Sequence, residues 1–305
     1  MLGAIIGDVA GSTYEVDEIK ARKNNEINYS NRIKILNKET PLFNSESSYT
    51  DDTILTCAIA KAVLDDRNYY KYLKEFGQRE INLGLDRYGR NKFGKGFCEW
   101  VKGDYIGDSY GNGCAMRISP IANYFDKVDK ILKETAYATY PSHNHIDSQI
   151  MTEAVSICIH FAKQKRSKEQ FKYHIQELMG IDLDFNLEEL QKNYKFTSKA
   201  KESVPQAIFC FLESNDFEDA IRKAISIGGD SDTIAAITGS IAEAYYGIDE
   251  KIIKNVEKYL PEYIINIVND FYKAINKEIP FKNKEIQIIE SNIEKQYIKR
   301  KDLNI

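Results

Sequence analysis

The sequence predicts an all-α fold in a single domain, and three observations predict it. Apolar residues recur with helical spacing in the patterned segments. Strand-like runs are few and short, with no strand–helix alternation that would build a parallel sheet. No long Pro/Gly/Ser linker divides the 305 residues, a length that by itself admits one large domain or two small ones.

Composition sets the outer bounds. At 43% hydrophobic and 11% aromatic, the chain is too apolar to be disordered. Seventeen glycines and six prolines exclude a collagen-like or Pro/Gly-rich chain. A net charge of -4 lacks the basic excess of a general nucleic-acid binder. There is no uninterrupted apolar run of about 20 residues that would cross a membrane. The apolar start has no basic region before it and is broken at Asp8, unlike a signal peptide. The five cysteines are odd in number and show no CxxC spacing, which argues against a disulfide framework or zinc knuckle. Buried, reduced thiols in a cytoplasmic chain are the expectation.

The elements follow in order. From Gly3 to Glu15, Gly7 and Gly11 have the spacing that lets helices approach closely. Asp8 and Glu15 are seven residues apart and would share one face of an unbroken helix; taken alone, either reads as a surface acid. Thr53 to Leu64 carries a helical stripe of Ile54, Leu55, Ala58, Ile59, Ala62 and Val63. About Tyr88 to Ser119 reads as a long glycine-bearing loop, and loops of that length are usually functional. Gln149 to Lys163 and Val204 to Glu213 are further predicted helices. Thr233 to Tyr246 repeats the stripe, and Gly239 with Ser240 at its middle predicts a second helix packed close against it. From Asn276 the small-residue pattern gives way to Lys/Glu alternating with Ile, so residues 273–305 read as a peripheral tail beyond a domain of residues 1–272.

Two acidic clusters stand just before buried helices: Ser48-Tyr-Thr-Asp-Asp-Thr53 and Gly228-Gly-Asp-Ser-Asp-Thr233. Helix capping explains one such residue per helix. Two carboxylates side by side repel unless a cation lies between them. Hard divalent ions take oxygen ligands, and Asp with Thr hydroxyl is a suitable set. Facing each other, the clusters could hold two ions a few ångströms apart, as in two-metal hydrolases. With only four histidines in the chain, an imidazole-built zinc site is disfavoured. The pattern favours metal binding, with capping as the alternative.

Together these segments resemble the ADP-ribosylglycohydrolase family. Six motifs carry the resemblance, in family order, between Met1 and about Tyr272: Gly-Asp-Val-Ala-Gly-Ser-Thr-Tyr-Glu (7–15), Tyr-Thr-Asp-Asp-Thr (49–53), Ser-Tyr-Gly-Asn-Gly-Cys-Ala-Met-Arg (109–117), Ser-His-Asn-His (142–145), Ser-Val-Pro-Gln-Ala (203–207) and Gly-Gly-Asp-Ser-Asp-Thr (228–233). The resemblance implies a compact orthogonal helical bundle with a centre for two Mg2+, or Mn2+ in some members. It implies Thr50, Asp51, Asp52, Asp230, Asp232 and Thr233 as metal ligands, and Glu15 as the glutamate beside them that gates the cleft. The stretches 93–97 and 109–113 would wrap ADP-ribose, through Gly94, Gly96, Phe97, Ser109, Tyr110, Gly111, Asn112 and Gly113, with His143 near the phosphates. Glycines let backbone N–H groups approach a pyrophosphate. Tyr110 can stack on adenine and Asn112 can hydrogen-bond a ribose hydroxyl, while His145, Met116 and Arg117 would support the loops.

The implied reaction is hydrolysis of the bond between C1 of the distal ribose and an acceptor atom, through an oxocarbenium-like transition state. Either Glu15 or Asp51 would be the general base, Glu15 ranking first. The implied partner is an ADP-ribosylated protein, with arginine, the family's common bacterial acceptor, ahead of serine or a small ADP-ribose derivative. A monomer is the default. Two rivals stand beside it: a two-metal phosphoesterase acting on ADP-ribose itself, which the paired aspartates fit as well, and a non-catalytic ADP-ribose-binding protein, against which the complete acidic clusters speak.

Overall fold

The N-terminal helix and the helix that follows the second acidic cluster meet at backbone contact, because small residues line both faces. A Cβ added at Gly3 would lie 2.1 Å from the Gly239 carbonyl oxygen, one at Gly7 2.1 Å from that of Ala235, and one at Gly11 2.6 Å from the Asp232 Cα. The two close-packing helices expected separately from Gly7/Gly11 and from Gly239 are therefore packed on each other.

The computed structural model describes residues 1–23, 32–86, 89 and 91–281. Through them run α1 (Leu2–Lys23), α2 (Asp51–Leu64), α3 (Tyr69–Leu83), α4 (Lys95–Lys102), α5 (Ser119–Tyr124), α6 (Val128–Thr139), α7 (Ile146–Lys163), α8 (Lys168–Tyr173), α9 (Leu187–Asn193), α10 (Ala200–Leu212), α11 (Phe217–Ser226), α12 (Ser231–Tyr246), α13 (Glu250–Glu257) and α14 (Glu262–Ala274). Among the described residues there is no β-strand, only isolated bridges at Asp108–His143 and Gly111–Lys199. The molecule is an all-helical, compact single-domain bundle, as the helical spacing predicts.

α2 and α12 are buried along almost their whole lengths, the behaviour of helices apolar on every side. α12 is surrounded by α1, α7, α10 and α11, and α2 by α1, α3, α5 and α14. α1 thus lies between the two central helices and contacts both. Gly228 and Gly229 take positive φ, 77° and 73°, a conformation other residues adopt only with strain, and so turn the chain sharply into α12. The two acidic N-termini consequently face one another beside α1.

One expectation is corrected. The segment predicted as a loop from Tyr88 to Ser119 contains α4 and a turn of 3-10 helix at Asn112–Cys114. Phe97, Trp100 and Val101, spaced i, i+3, i+4, pack α4 against α3, where Gly77 makes room for Val101. Gly94 and Gly96, just before and within that helix, hide it in the sequence. All five cysteines are free thiols, with Cys57, Cys114, Cys158 and Cys210 buried and Cys98 half-buried. No helix among the described residues is long and apolar enough to cross a membrane. Of the predicted tail, Phe281 is buried and exchanges hydrogen bonds with Asn269; residues 282–305 lie outside the described residues.

Candidate metal centre

The centre is built where the first turns of α2 and α12 meet the middle of α1. Capping at α2 is done by Thr50, whose hydroxyl accepts from the Asp52 N–H. Asp230 occupies the equivalent position before α12 and makes no capping hydrogen bond; its Oδ2 instead accepts from the Asn112 amide at 2.7 Å. Hydrogen bonds to helix-start N–H groups therefore account for Thr50 and for one oxygen of Asp232, whose Oδ1 accepts from the Thr233 N–H at 2.9 Å, and leave Asp51, Asp52 and Asp230 to another task. Thr233 joins the clusters, its hydroxyl donating to Asp52 Oδ2 at 3.2 Å across the helix pair.

Carboxylate oxygens of Asp8, Asp52 and Asp232 lie within 4.8 Å of one another, and so do those of Glu15, Asp230 and Asp232. Asp232 belongs to both triads. Desolvation raises the carboxyls of Asp51, Asp52 and Asp232 well above the usual range, and mutual repulsion adds to it: Asp8, Glu15 and Asp230 act on Asp51, Asp8, Asp51 and Asp230 on Asp52, and Glu15, Asp52 and Asp230 on Asp232. Burial also raises Asp230, against the hydrogen bond from Asn112. Asp51 keeps part of its surface open to the cleft, whereas Asp52 and Asp232 are buried.

The donor set fits a divalent cation. Asp52 Oδ1 is buried and has no hydrogen-bond partner among the described residues. A bare carboxylate oxygen in a low-dielectric site costs several kcal/mol by order of magnitude unless something positive meets it. The carboxylates of Asp8 and Asp232 approach Asp52, the Thr50 and Thr233 hydroxyls lie against its other oxygen, and among the described residues neither triad includes an imidazole or a thiol. That is the chemistry of a hard ion.

Asp8 is the residue that sequence reasoning misses, having read it as a surface acid. It is fully buried. Its carboxylate accepts from the Thr50 N–H at 2.9 Å, the Thr50 hydroxyl at 2.7 Å, the Thr53 N–H at 3.0 Å and the Thr53 hydroxyl. Four donors hold it, three on Oδ2 and one on Oδ1, so it fixes the α2 N-terminus and the direction of the Thr50 hydroxyl. A signal was present: from Leu2 to Gly11, Asp8 is the only polar side chain, the pattern of a helix buried on nearly every side.

Above the acids opens a cavity of about 780 Å³, within the range of small-molecule sites. Glu15, Asp51, Asp230 and Asp232 line one end; Thr50 and Thr233 stand beside them. Gly94, Gly96, Phe97, Ser109, Gly111, Asn112, Gly113 and His143 line it too, so the structure gathers almost all the predicted binding residues. Lys92, Lys95 and Arg117 bring positive charge to the walls, and Phe93, Trp100 and Tyr105 bring rings.

Two side chains are placed in ways the sequence does not show. Tyr110 is not among the lining residues; it is 53% exposed, with its ring edge-on to His145, because the loop turns its side chain outward. The Asn112 side-chain NH2 donates to Asp230 and to Ser203, so Asn112 orients a carboxylate as well as lining the cavity. His145 supports the loop as expected, capping α7 by accepting from the Asp147 N–H.

Comparison with known proteins gives a consistent picture. A family model described as ADP-ribosylglycohydrolase matches residues 1–280. ADP-ribosylhydrolase ARH3 of Mus musculus is 25% identical, with 82% of this chain and 83% of that protein covered. ADP-ribosylhydrolase ARH3 of Gallus gallus is 28% identical over 67% and 71% of the two chains. A solved chain from an "ADP-ribosylglycohydrolase-related protein complex" superposes with a TM-score of 0.52 at 18% identity, covering 75% of this chain and 78% of that one, a likeness of fold.

Proposed function

The chain belongs to the ADP-ribosylglycohydrolase family, matched over residues 1–280, and from that premise we propose that it is a dinuclear-metal hydrolase that releases ADP-ribose from an ADP-ribosylated acceptor. The observation that carries the reading is the Glu15, Asp230 and Asp232 triad at one end of a cavity of about 780 Å³, with Asp52 buried behind it and its Oδ1 without a hydrogen-bond partner among the described residues.

Thr50, Asp51, Asp52, Asp230, Asp232 and Thr233 would hold two Mg2+ or Mn2+ ions, Asp232 being the carboxylate common to both triads. Bound there, such ions supply positive charge that orients ribose hydroxyls and acidifies water. The protein's own groups do the rest. Asp8 and Asn112 hold Thr50 and Asp230 in position. The aromatic and glycine-bearing walls enclose the nucleotide and limit water around the distal ribose. Glu15, on the cavity wall, accepts a proton at its carboxylate as a water adds to C1. The C1–acceptor bond breaks, and the departing acceptor atom takes up that proton, which balances the hydrolysis. Asp51 is the second candidate for the base.

We take arginine as the acceptor. The test incubates the full chain and Mg2+ with peptides ADP-ribosylated on arginine or on serine, and follows products by mass spectrometry, with EDTA and Asp232→Asn controls. Metal-dependent, multiple-turnover release of intact ADP-ribose is expected. AMP and ribose 5-phosphate would instead make it a phosphoesterase. Tight ADP-ribose binding without turnover on any linkage would make it a binding protein.

A further inference from the structure

In the cavity wall runs a short chain of buried polar groups that the reaction above does not use. Arg117, fully buried, donates from Nη2 to Ser142 Oγ at 2.7 Å, and Ser142 Oγ lies 2.8 Å from His143 Nδ1. All three line the cavity. Hydrogen-bond arithmetic fixes the direction of this chain. A guanidinium can only donate, so Ser142 Oγ accepts from Arg117. The serine hydroxyl then has one hydrogen to place. Among the described residues its only other partner is His143 Nδ1, and a buried hydroxyl left without an acceptor is costly. The serine therefore donates to Nδ1, which must be the bare, accepting nitrogen, and the ring proton of a neutral imidazole falls on Nε2.

Neutrality has its own support: burial first, and then the Arg117 charge, hold the His143 pKa well below the usual range. Nε2 makes no hydrogen bond to the described residues. It faces the stretch 111–113, 3.1 Å from where a side chain at Gly113 would begin and 3.8 Å from one at Gly111.

We infer that Arg117 and Ser142 form a relay that locks His143 as the Nε2–H tautomer, so that the ring offers the cavity a hydrogen-bond donor and never an acceptor. The ligand atom it selects is an oxygen rich in electrons, of the kind a diphosphate presents, with the Arg117 cation behind it. Arg117 and Ser142 act through the imidazole and are positioning residues. The inference rests on the ADP-ribose reading only for the identity of the ligand.

The test reads the tautomer directly, by long-range 1H–15N correlation on the full chain with labelled histidine, the His143 signal being assigned from its loss in His143→Asn. In the wild type at pH 7 the Nε2–H pattern is expected; an Nδ1–H pattern or an imidazolium overturns the relay. In Ser142→Ala the signal is expected to average between tautomers, and the Kd for ADP-ribose, by calorimetry, to rise about tenfold with the weakened donor. A single Nε2–H tautomer persisting in Ser142→Ala overturns the relay, and an unchanged Kd overturns the donor role. Should Ser142→Ala fail to fold, the wild-type spectrum still decides. A wild-type Nε2–H pattern without ADP-ribose binding would support the relay and count against the proposed function.

Discussion

Gly7→Ala separates local from tertiary reasoning, because the two predict opposite signs. Alanine is the better helix former, so an isolated α1 would gain about 1 kcal/mol. In the fold the new methyl would lie 2.1 Å from the Ala235 carbonyl oxygen, where ordinary contact begins at 3.4 Å. The obstacle is backbone, which cannot swing aside, so α1 and α12 must part by about 1.3 Å locally. Overpacking of a dense interface costs roughly 1–3 kcal/mol, sometimes more, and outweighs the propensity gain. In a domain of this size each kcal/mol lowers Tm by about 2–4 °C. The same displacement separates Asp8 and Glu15 on α1 from Asp230 and Asp232 at α12, so the metal site loosens as well. Thermal unfolding with and without Mn2+ reads both effects. A lower Tm and a smaller metal-induced rise are expected. An equal or higher Tm with an undiminished metal increment would refute the claim that backbone contact between these helices sets the site.

Three further predictions follow from the centre. Asp52→Asn removes one of several repelling carboxylates, so the metal-free protein should melt at the same or a higher temperature, while metal affinity in a calorimetric titration falls at least about 100-fold, the upper end of what losing an outer-shell partner costs. Asn112→Ala deprives Asp230 of its 2.7 Å donor and should weaken metal binding about 10–100-fold with little change in fold, read by circular dichroism alongside the titration. The cluster's raised pKa values also have a sign: above the ordinary aspartate value of 3.8 the folded metal-free state holds protons that the unfolded chain has released, so this contribution to stability falls as pH rises through the folded values. The pH slope of the metal-free Tm should therefore be steeper downward in wild type than in Asp52→Asn, and metal binding should expel protons, seen as a dependence of calorimetric heat on buffer ionisation.

Much of the site was legible because its signals are local. Acid pairs in the first turns of apolar helices, and glycines spaced for close approach, announce themselves within a few residues. What was not legible depends on direction. Tyr110 stands between neighbours that line the cavity, yet its ring turns out to solvent, and the Asn112 NH2 is directed to Asp230 and Ser203. α4 was hidden because its apolar i, i+3, i+4 triplet begins at Phe97, just after the glycines at 94 and 96.

The sequence by itself determined the helical architecture, the two acidic helix starts and the family, since spacing and residue type are properties of neighbours along the chain. Only the tertiary structure decided that Gly7 packs on Ala235 and that Asp8 anchors the α2 N-terminus through Thr50 and Thr53. It also decided that Thr233 reaches Asp52 across 181 positions, and that Arg117 and Ser142 stand behind His143. These depend on which faces meet when α1, α2 and α12 close on one another. Burial then turns distant residues into partners, because a polar group removed from water must find its hydrogen bond or its counter-charge within the fold.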